Sequence, residues 1–139
     1  MATAREIMHA GATCVGEDES MLTAARMMRD LDVGSLPICG NDDRLKGMIT
    51  DRDIVMRCCA EKRDPADVTA SEMANGMLYW VTADDDMAGV LAMMEEHQVR
   101  RMPVIDQHRL VGMICESDLA RNVTDEQLAH FVGRVSSRA

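Results

Sequence analysis

The sequence predicts an α/β (α+β) fold built from two β-α-β-β-α half-units that pack together with pseudo-two-fold symmetry. This prediction depends on an internal repeat. The segment Leu36-Pro37-Ile38 recurs in the second half as Met102-Pro103-Val104, and Gly47-Met48-Ile49 recurs as Gly112-Met113-Ile114. Only two copies fit into the 139 residues, which excludes a solenoid or a propeller. A cleft between the half-units is therefore the first candidate for a functional site.

Each half shows the same predicted order of elements: a helical lead-in, a short strand, an amphipathic helix, two further strands and a closing helix. Acidic or hydroxyl residues precede both amphipathic segments, as expected of helix N-caps. The strand after each amphipathic helix contains a proline, Pro37 or Pro103, which predicts an edge strand or a strand start. The predicted elements are lead-ins ending at 8 and 73, strands near 13–15 and 79–81, helices over 21–31 and 87–97, and strands over 35–39, 45–50, 101–105 and 109–115.

The repeat divides the chain into four predicted segments. They are the first half-unit (1–61), a charged linker (62–69), the second half-unit (70–122) and a tail (123–139). The tail is expected to form a short helix with apolar residues such as Phe131 on one face, which either caps the core or contacts a partner.

Composition and charge exclude several classes of partner. The net charge of −9 argues against nucleic acid and anionic membrane surfaces, because phosphate-rich surfaces repel an acidic chain. No stretch approaches the roughly eighteen apolar residues of a membrane span, and residues 1–19 lack the apolar run of a secretory signal. We therefore expect a cytoplasmic protein. The five cysteines are odd in number and lack metal-ligand spacing, which fits reduced intracellular thiols.

The two halves share marks that are typical of one family. The marks are the Leu-Pro-Ile and Met-Pro-Val strands, the Gly-Met-Ile strands, and the closing aspartates Asp53 and Asp118. Because the marks recur in the same order, residues 5–122 resemble a tandem pair of cystathionine β-synthase (CBS) domains, a Bateman module. The chain is also similar to one bacterial member that stands alone, without a catalytic or transport domain. The resemblance implies a regulatory or sensor role, in a response to stress such as hypoxia.

The resemblance also implies a binding site for an adenosine derivative, such as AMP, ATP or S-adenosylmethionine, in the cleft. The family motif is a Thr or Ser followed three residues later by Asp, where the last strand meets the last helix. The first half matches it with Thr50 and Asp53. The hydroxyl and the helix N-terminus would face phosphate, and the carboxylate would hold the ribose. The same pair has the pattern of a helix capping box, and both roles are compatible.

The second half departs from the motif. Cys115 replaces the hydroxyl residue, and a thiol is a weak hydrogen-bond partner. Asp118 remains, with Ser117 beside it, and Arg101 is expected to bring a guanidinium to the cleft. Arg100 either does the same or pairs with nearby glutamates. We therefore expect the site in the first half to bind an adenosine derivative more strongly.

Cysteine and histidine pairs offer other chemistry. Cys14 and Cys39 fall on the first two strands of the first half, where the second half has no cysteine. If those strands are neighbours, the pair either forms a disulfide or remains as two buried thiols. His97 at a helix end and His108 in a turn either bind zinc with a nearby glutamate or lie at the surface.

Three classes of function remain, in order of preference. The first is a sensor that binds an adenosine derivative and passes a change of shape to an unknown protein partner. The second is a nucleotide-independent interaction protein or a redox- or metal-responsive protein, and the third is an enzyme. No nucleophile–base pair or glycine-rich phosphate loop is evident, so we do not expect an enzyme. We expect a homodimer, because two-fold closure is the commonest way to bury exposed apolar helix faces.

Overall fold

The computed structural model describes residues 2–11, 13–74 and 78–136 and confirms an α/β protein. In chain order, the elements are α1 (Ala4–Ile7), β1 (His9–Ala10), β2 (Val15–Gly16), α2 (Met21–Leu31), β3 (Ser35–Cys39), β4 (Leu45–Thr50), α3 (Asp51–Ile54), a π-helical segment (Val55–Cys59), a 3₁₀ turn (Pro65–Asp67), α4 (Ala70–Met73), β5 (Val81–Thr82), α5 (Met87–His97), β6 (Arg101–Asp106), β7 (Arg109–Cys115), α6 (Glu116–Asn122) and α7 (Asp125–Ser136). The limits of α2 and α5 agree with the predicted helices.

The chain forms two compact units. One runs from Thr13 to Leu78, and we call it the central unit. The other combines the start of the chain, up to residue 11, with the residues from Tyr79 onwards, and we call it the composite unit. Each unit has its own sheet and its own hydrophobic core. The order is β2-β3-β4 in the central unit and β1-β7-β6-β5 in the composite unit.

The same strand pairing occurs in both units, as the repeat predicts. In each, a two-residue strand runs parallel to the proline-containing strand, which then pairs antiparallel with the strand that contains the Gly-Met-Ile sequence. Each amphipathic helix begins after a capping side chain. Ser20 accepts a hydrogen bond from the Thr23 N–H (3.1 Å), and Asp86 accepts one from the Gly89 N–H (2.9 Å). Such caps satisfy N–H groups that the first helical turn leaves without partners.

Each lead-in helix packs in the unit that contains the strands of the other repeat. The two units therefore differ from the predicted segments 1–61 and 70–122. Helix α1 packs in the composite unit and α4 packs in the central unit. A glycine in the Gly-Met-Ile strand permits this close approach. A Cβ atom on Gly112 would lie 2.6 Å from the His9 carbonyl oxygen, and one on Gly47 would lie 2.9 Å from the Ala74 Cβ. Only glycine leaves room for the backbone there.

Both predicted placements of the prolines, in an edge strand or at a strand start, are wrong, since neither proline is the first residue of its strand. Strand β3 lies between β2 and β4, and β6 lies between β5 and β7. The short parallel partner explains why proline is tolerated. Strand β2 pairs only with Ile38 and Cys39, and β5 only with Val104 and Ile105. The ladder on that side therefore begins after the proline and requires no N–H group from it.

Helix α7 covers the core of the composite unit. Phe131 and Val135 are buried in that core, and His130 Nδ1 lies 3.0 Å from Glu95 Oε1 on α5. Of the two roles considered for the tail, the structure shows the capping role. No helix in the described ranges combines the length and the apolar character needed to cross a bilayer.

Candidate metal site

Cys115 is the N-cap residue of helix α6 and contacts Asp118 through both its backbone and its thiol. The Cys115 backbone N–H donates to Asp118 Oδ2 (2.9 Å), and the thiol donates to the same oxygen (3.2 Å). The Asp118 side chain is only 2% exposed, and a buried carboxylate needs partners to offset its lost hydration. These contacts hold the carboxylate in one orientation and leave its other oxygen, Oδ1, to residues outside the cap.

His9 reaches this carboxylate from the start of the chain. Strand β1 pairs antiparallel with β7, with His9 opposite Met113. As a result, His9 Nε2 lies 3.1 Å from Asp118 Oδ1 and 3.7 Å from Cys115 Sγ. Among the residues that the structure describes, these three side chains form the one group of three or more His, Cys, Asp or Glu residues with ligand atoms close enough to share a metal ion.

The donor set and its spacing fit zinc. Zinc takes thiolate, imidazole and carboxylate ligands, and bonds of about 2.3 Å to sulfur and about 2.0–2.1 Å to nitrogen or oxygen keep tetrahedral ligand atoms roughly 3.3–3.6 Å apart. The separations here are 3.1 Å between His9 Nε2 and Asp118 Oδ1, 3.7 Å between Cys115 Sγ and His9 Nε2, and 3.2 Å between Cys115 Sγ and the other carboxylate oxygen, Asp118 Oδ2. One ligand atom of each residue lies within 4.8 Å of the other two, so the three side chains are close enough to share one ion.

In the absence of a metal, Arg121 supplies a positive charge beside the buried Asp118 carboxylate. Its Nη2 donates to Asp118 Oδ1 at 2.8 Å, while the Arg121 side chain remains 62% exposed. A metal ion at the site would compete with this guanidinium for the same oxygen. Because the guanidinium reaches solvent, it can turn away from Asp118 at little cost in hydration.

The central unit has the same cap without the metal donors. The Thr50 N–H donates to Asp53 Oδ2 (2.9 Å), and the Asp53 N–H donates to Thr50 Oγ1 (3.1 Å). Ala74, which contacts Gly47, takes the place that His9 has beside Gly112. The structure thus shows the capping role of Thr50 and Asp53, and their role in nucleotide binding stays a prediction.

A surface pocket of about 220 Å³ adjoins the candidate metal ligands. Its lining residues are Arg100, Arg101, Cys115, Glu116 and Ser117. Ser117 Oγ lies 3.1 Å from Cys115 Sγ. Arg100 Nε lies 3.6 Å from Glu116 Oε1, so Arg100 pairs with neither of the glutamates at positions 95 and 96. Arg101, Ser117 and Asp118 are therefore assembled around Cys115 in the composite unit, whereas Thr50 and Asp53 belong to the central unit.

Cys14 and Cys39 lie at disulfide-bonding distance in the central unit, with Cα atoms 5.7 Å apart. Cys14 directly precedes β2, and Cys39 ends the neighbouring strand β3. Of the two predicted alternatives, this geometry favours the disulfide. Cys58 in the same unit is buried, and burial raises the pKa of its thiol, which makes Cys58 a poor nucleophile for thiol exchange.

The predicted zinc ligands His97 and His108 have other surroundings. The His97 ring stacks on Tyr79 with ring centroids 3.7 Å apart. His108 lies in the β6–β7 turn with a φ of 69°. Within the described part of the chain, neither belongs to a group of three metal-ligating side chains, and Glu95 pairs with His130 instead. The geometry therefore favours the group around Asp118 for a metal.

Sequence reasoning missed His9 as a candidate ligand. The signal that could have found it is a double departure from the repeat. His9 replaces the alanine of the other half, and Cys115 replaces its threonine. Both substituted residues, His9 and Cys115, lie beside Asp118. Two departures from the repeat around one carboxylate indicate a metal-binding role that only the second closing helix has.

Comparison with known proteins gives a consistent family assignment. The profile of the family described as "CBS domain" matches residues 4–58 and 70–125. Hypoxic response protein 1 of Mycobacterium tuberculosis is 52% identical over 137 residues, which cover 99% of this chain and 96% of that protein. The predicted resemblance to a bacterial hypoxic response protein is thus confirmed.

Solved structures agree with this assignment. A crystal structure of Hypoxic Response Protein I with two coordinated zinc ions is 55% identical and has a TM-score of 0.81; the match covers 88% of this chain and all of that one. A CBS domain protein of unknown function from Thermoplasma acidophilum has a TM-score of 0.85 at 20% identity, covering 98% of this chain and 77% of that one. The second match concerns the fold alone.

Proposed function

This chain belongs to the CBS-domain family, and from that premise we propose that it is a regulatory module that binds zinc through His9, Cys115 and Asp118. The observation that carries the proposal is the meeting of an imidazole, a thiol and a buried carboxylate whose ligand atoms lie within 4.8 Å of one another. The two zinc ions in the structure of the 55% identical Hypoxic Response Protein I support the choice of metal.

The proposed role is regulatory rather than catalytic. His9 lies in β1, in the lead-in of the first repeat, whereas Cys115 and Asp118 lie where β7 meets α6 in the second. A metal held by all three fixes the start of the chain to the helix that follows the Gly-Met-Ile strand. Zinc binding would therefore stabilise this arrangement and offer a partner protein a surface that depends on zinc.

The test is a zinc titration of reduced, metal-free protein followed by thermal unfolding. We expect one zinc ion per chain and a higher Tm, because a ligand at about one hundred times its Kd stabilises the native state by about 2.7 kcal/mol. Magnesium is the control and should leave Tm unchanged, since it prefers oxygen ligands. An unchanged Tm with saturating zinc would contradict the proposal.

A second candidate function is the binding of an adenosine derivative. The observation in its favour is that Arg101 and Ser117 line one pocket beside Asp118, while Thr50 and Asp53 form a partly buried pair that satisfies the family motif. Asp118 already contacts His9 and Arg121, so the ribose site is expected at Asp53.

Calorimetry with AMP, ATP and S-adenosylmethionine tests this second candidate. Asp53→Ala should lower affinity roughly tenfold or more, because a lost hydrogen bond to a charged group costs about 1.5–3 kcal/mol. Asp118→Ala should have a smaller effect. Circular dichroism must show that Asp53→Ala remains folded, since Asp53 also caps α3. If no compound binds at millimolar concentration, this candidate is rejected and the zinc proposal is unaffected.

We also propose that the module acts as a homodimer in a response to low oxygen. The name of the 52% identical relative supports the physiological setting. Several large apolar side chains of the central unit are exposed, among them Leu31, Val33, Val55 and Met56, and a second copy is a simple way to cover them.

A further inference from the structure

Arg121 is a third departure from the internal repeat beside one carboxylate. It follows Asp118 by three residues, whereas the residue that follows Asp53 by three in the first repeat is Met56. The two departures already described, an imidazole and a thiol, contact Asp118 as well. A methionine makes no ion pair, so the arginine belongs to what distinguishes the composite unit and not to the shared fold.

The ion pair of Arg121 with Asp118 joins an exposed cation to a buried anion. Arg121 Nη2 lies 2.8 Å from Asp118 Oδ1, and the two side chains are 62% and 2% exposed. The equivalent carboxylate, Asp53, is partly exposed, so water can solvate its charge. Asp118 has little access to water, and its charged form therefore depends on a cation within the protein.

Zinc and the guanidinium are alternative cations for this carboxylate. Asp118 Oδ1 accepts a hydrogen bond from Arg121 and lies 3.1 Å from His9 Nε2. A zinc ion that joins the imidazole to the carboxylate therefore reaches the oxygen that Arg121 occupies. The charges favour the exchange as well. The Cys115 thiolate and the Asp118 carboxylate together balance the two positive charges of zinc, so the loaded site no longer attracts a further cation.

Arg121 has a second favourable environment close to its present one. The residue lies in the last turn of α6, where the partial negative charge of a helix C-terminus favours a cation that faces solvent. Its long side chain can keep the alkyl part against the protein while the guanidinium moves into water. Release from Asp118 therefore requires a rotation of one side chain and no change in the backbone.

We propose that Arg121 is a built-in competitor that sets the zinc affinity of the module, and that zinc binding releases its guanidinium from Asp118 to the surface. This inference rests on the proposed function, because it requires zinc at Asp118, His9 and Cys115. It adds regulation to that site. Zinc replaces an internal cation, so the buried carboxylate keeps a positive partner in both states, and the position of the guanidinium reports whether zinc is bound.

The first experiment compares the zinc affinity of Arg121→Met, which introduces the residue type of the other repeat, with that of the wild type. Competition with a chromophoric chelator should show binding that is tighter by about tenfold or more, because zinc no longer has to break a charge-assisted hydrogen bond. A residue that only orients a metal ligand gives the opposite sign, since its loss typically weakens metal binding by about 10- to 100-fold.

Arg109→Met is the matched control for the loss of one positive charge. Arg109 lies at the opposite end of β7 from Cys115, about 20 Å away along an extended strand, which is beyond the screening length of about 8–10 Å. Its zinc affinity should equal that of the wild type. Circular dichroism checks the fold of Arg121→Met, and Arg121→Gln is a second variant with the same expected gain.

Nitrogen-15 NMR of arginine side chains tests the release directly. The signal of the Arg121 guanidinium is assigned by its absence from the spectrum of Arg121→Met. In metal-free wild type, the ion pair with Asp118 should hinder rotation of this group. After one equivalent of zinc, the group should rotate as freely as the guanidinium of an exposed arginine.

The outcomes separate this inference from the proposed function. Wild type that takes up no zinc refutes the proposed function, and the inference fails with it. If the wild type binds zinc but Arg121→Met binds it equally or more weakly, zinc binding stands and the inference is overturned. A guanidinium that stays hindered in the zinc-loaded protein also overturns it, and so does an equal gain in Arg109→Met, which would assign the effect to net charge.

Discussion

Cys115→Thr is expected to lower the affinity for zinc by on the order of a hundredfold or more. Loss of a residue that only supports a metal ligand typically costs about 10- to 100-fold, and here the thiolate ligand itself is removed. The fold should survive, because Thr50 occupies the equivalent position in the central unit and forms the same cap with Asp53. Competition with a chromophoric zinc chelator measures the affinity.

Thr50→Cys is the matched control for this variant. It places a thiol in the central unit, where Ala74 stands in place of the histidine, and should therefore create no second zinc site. Zinc affinity equal to that of the wild type in Cys115→Thr, with its fold verified by circular dichroism, would remove Cys115 from the set of ligands.

Loss of the Cys14–Cys39 bond is expected to lower the free energy of unfolding by about 3 kcal/mol. The two residues are separated by 25 positions, and closing a loop of that length restricts the unfolded chain by about this amount in the chain-entropy model. Denaturant unfolding of the Cys14→Ser/Cys39→Ser variant, compared with oxidised wild type, measures the effect. Zinc affinity should not change, because all three proposed ligands belong to the composite unit.

Cys59→Ser is the control for the disulfide prediction, because Cys59 is exposed and free. Its stability should match that of the wild type, and a reductant should destabilise both proteins to the level of the double variant. Alkylation followed by mass spectrometry of native, air-exposed protein gives a second test. If Cys14 and Cys39 are alkylated, the bond does not form and the prediction is contradicted. The expectation that all thiols are reduced would then stand.

Much of the fold could be predicted because local signals were repeated. Helices α2 and α5 each combine a capping residue with apolar residues at helical spacing, and strands β4 and β7 follow turns rich in polar residues. Such signals come from neighbouring residues and need no knowledge of distant contacts. The edge position predicted from Pro37 was wrong because a proline is tolerated in a central strand when the neighbouring strand is short. Here β2 extends along β3 only beyond the proline. The length of β2 is set by packing and not by the residues of β3 themselves.

The candidate site was less predictable, since its parts come from distant positions. Strand β1 has only two residues, too few for an alternation of polar and apolar side chains to appear. Its pairing with β7 depends on the space beside Gly112. The sequence alone does not show which segment of the chain occupies that space. Asp118 and Cys115 were recognised from the family motif, whereas His9 becomes a candidate only after the lead-in helices are seen to exchange.

Zinc K-edge X-ray absorption of the zinc-loaded protein identifies the atoms that coordinate the ion. We expect one sulfur neighbour at about 2.3 Å and nitrogen or oxygen neighbours at about 2.0–2.1 Å, with the sulfur contribution lost in Cys115→Thr. A zinc environment without sulfur, or one with two or more sulfur atoms, would contradict a site built from His9, Cys115 and Asp118.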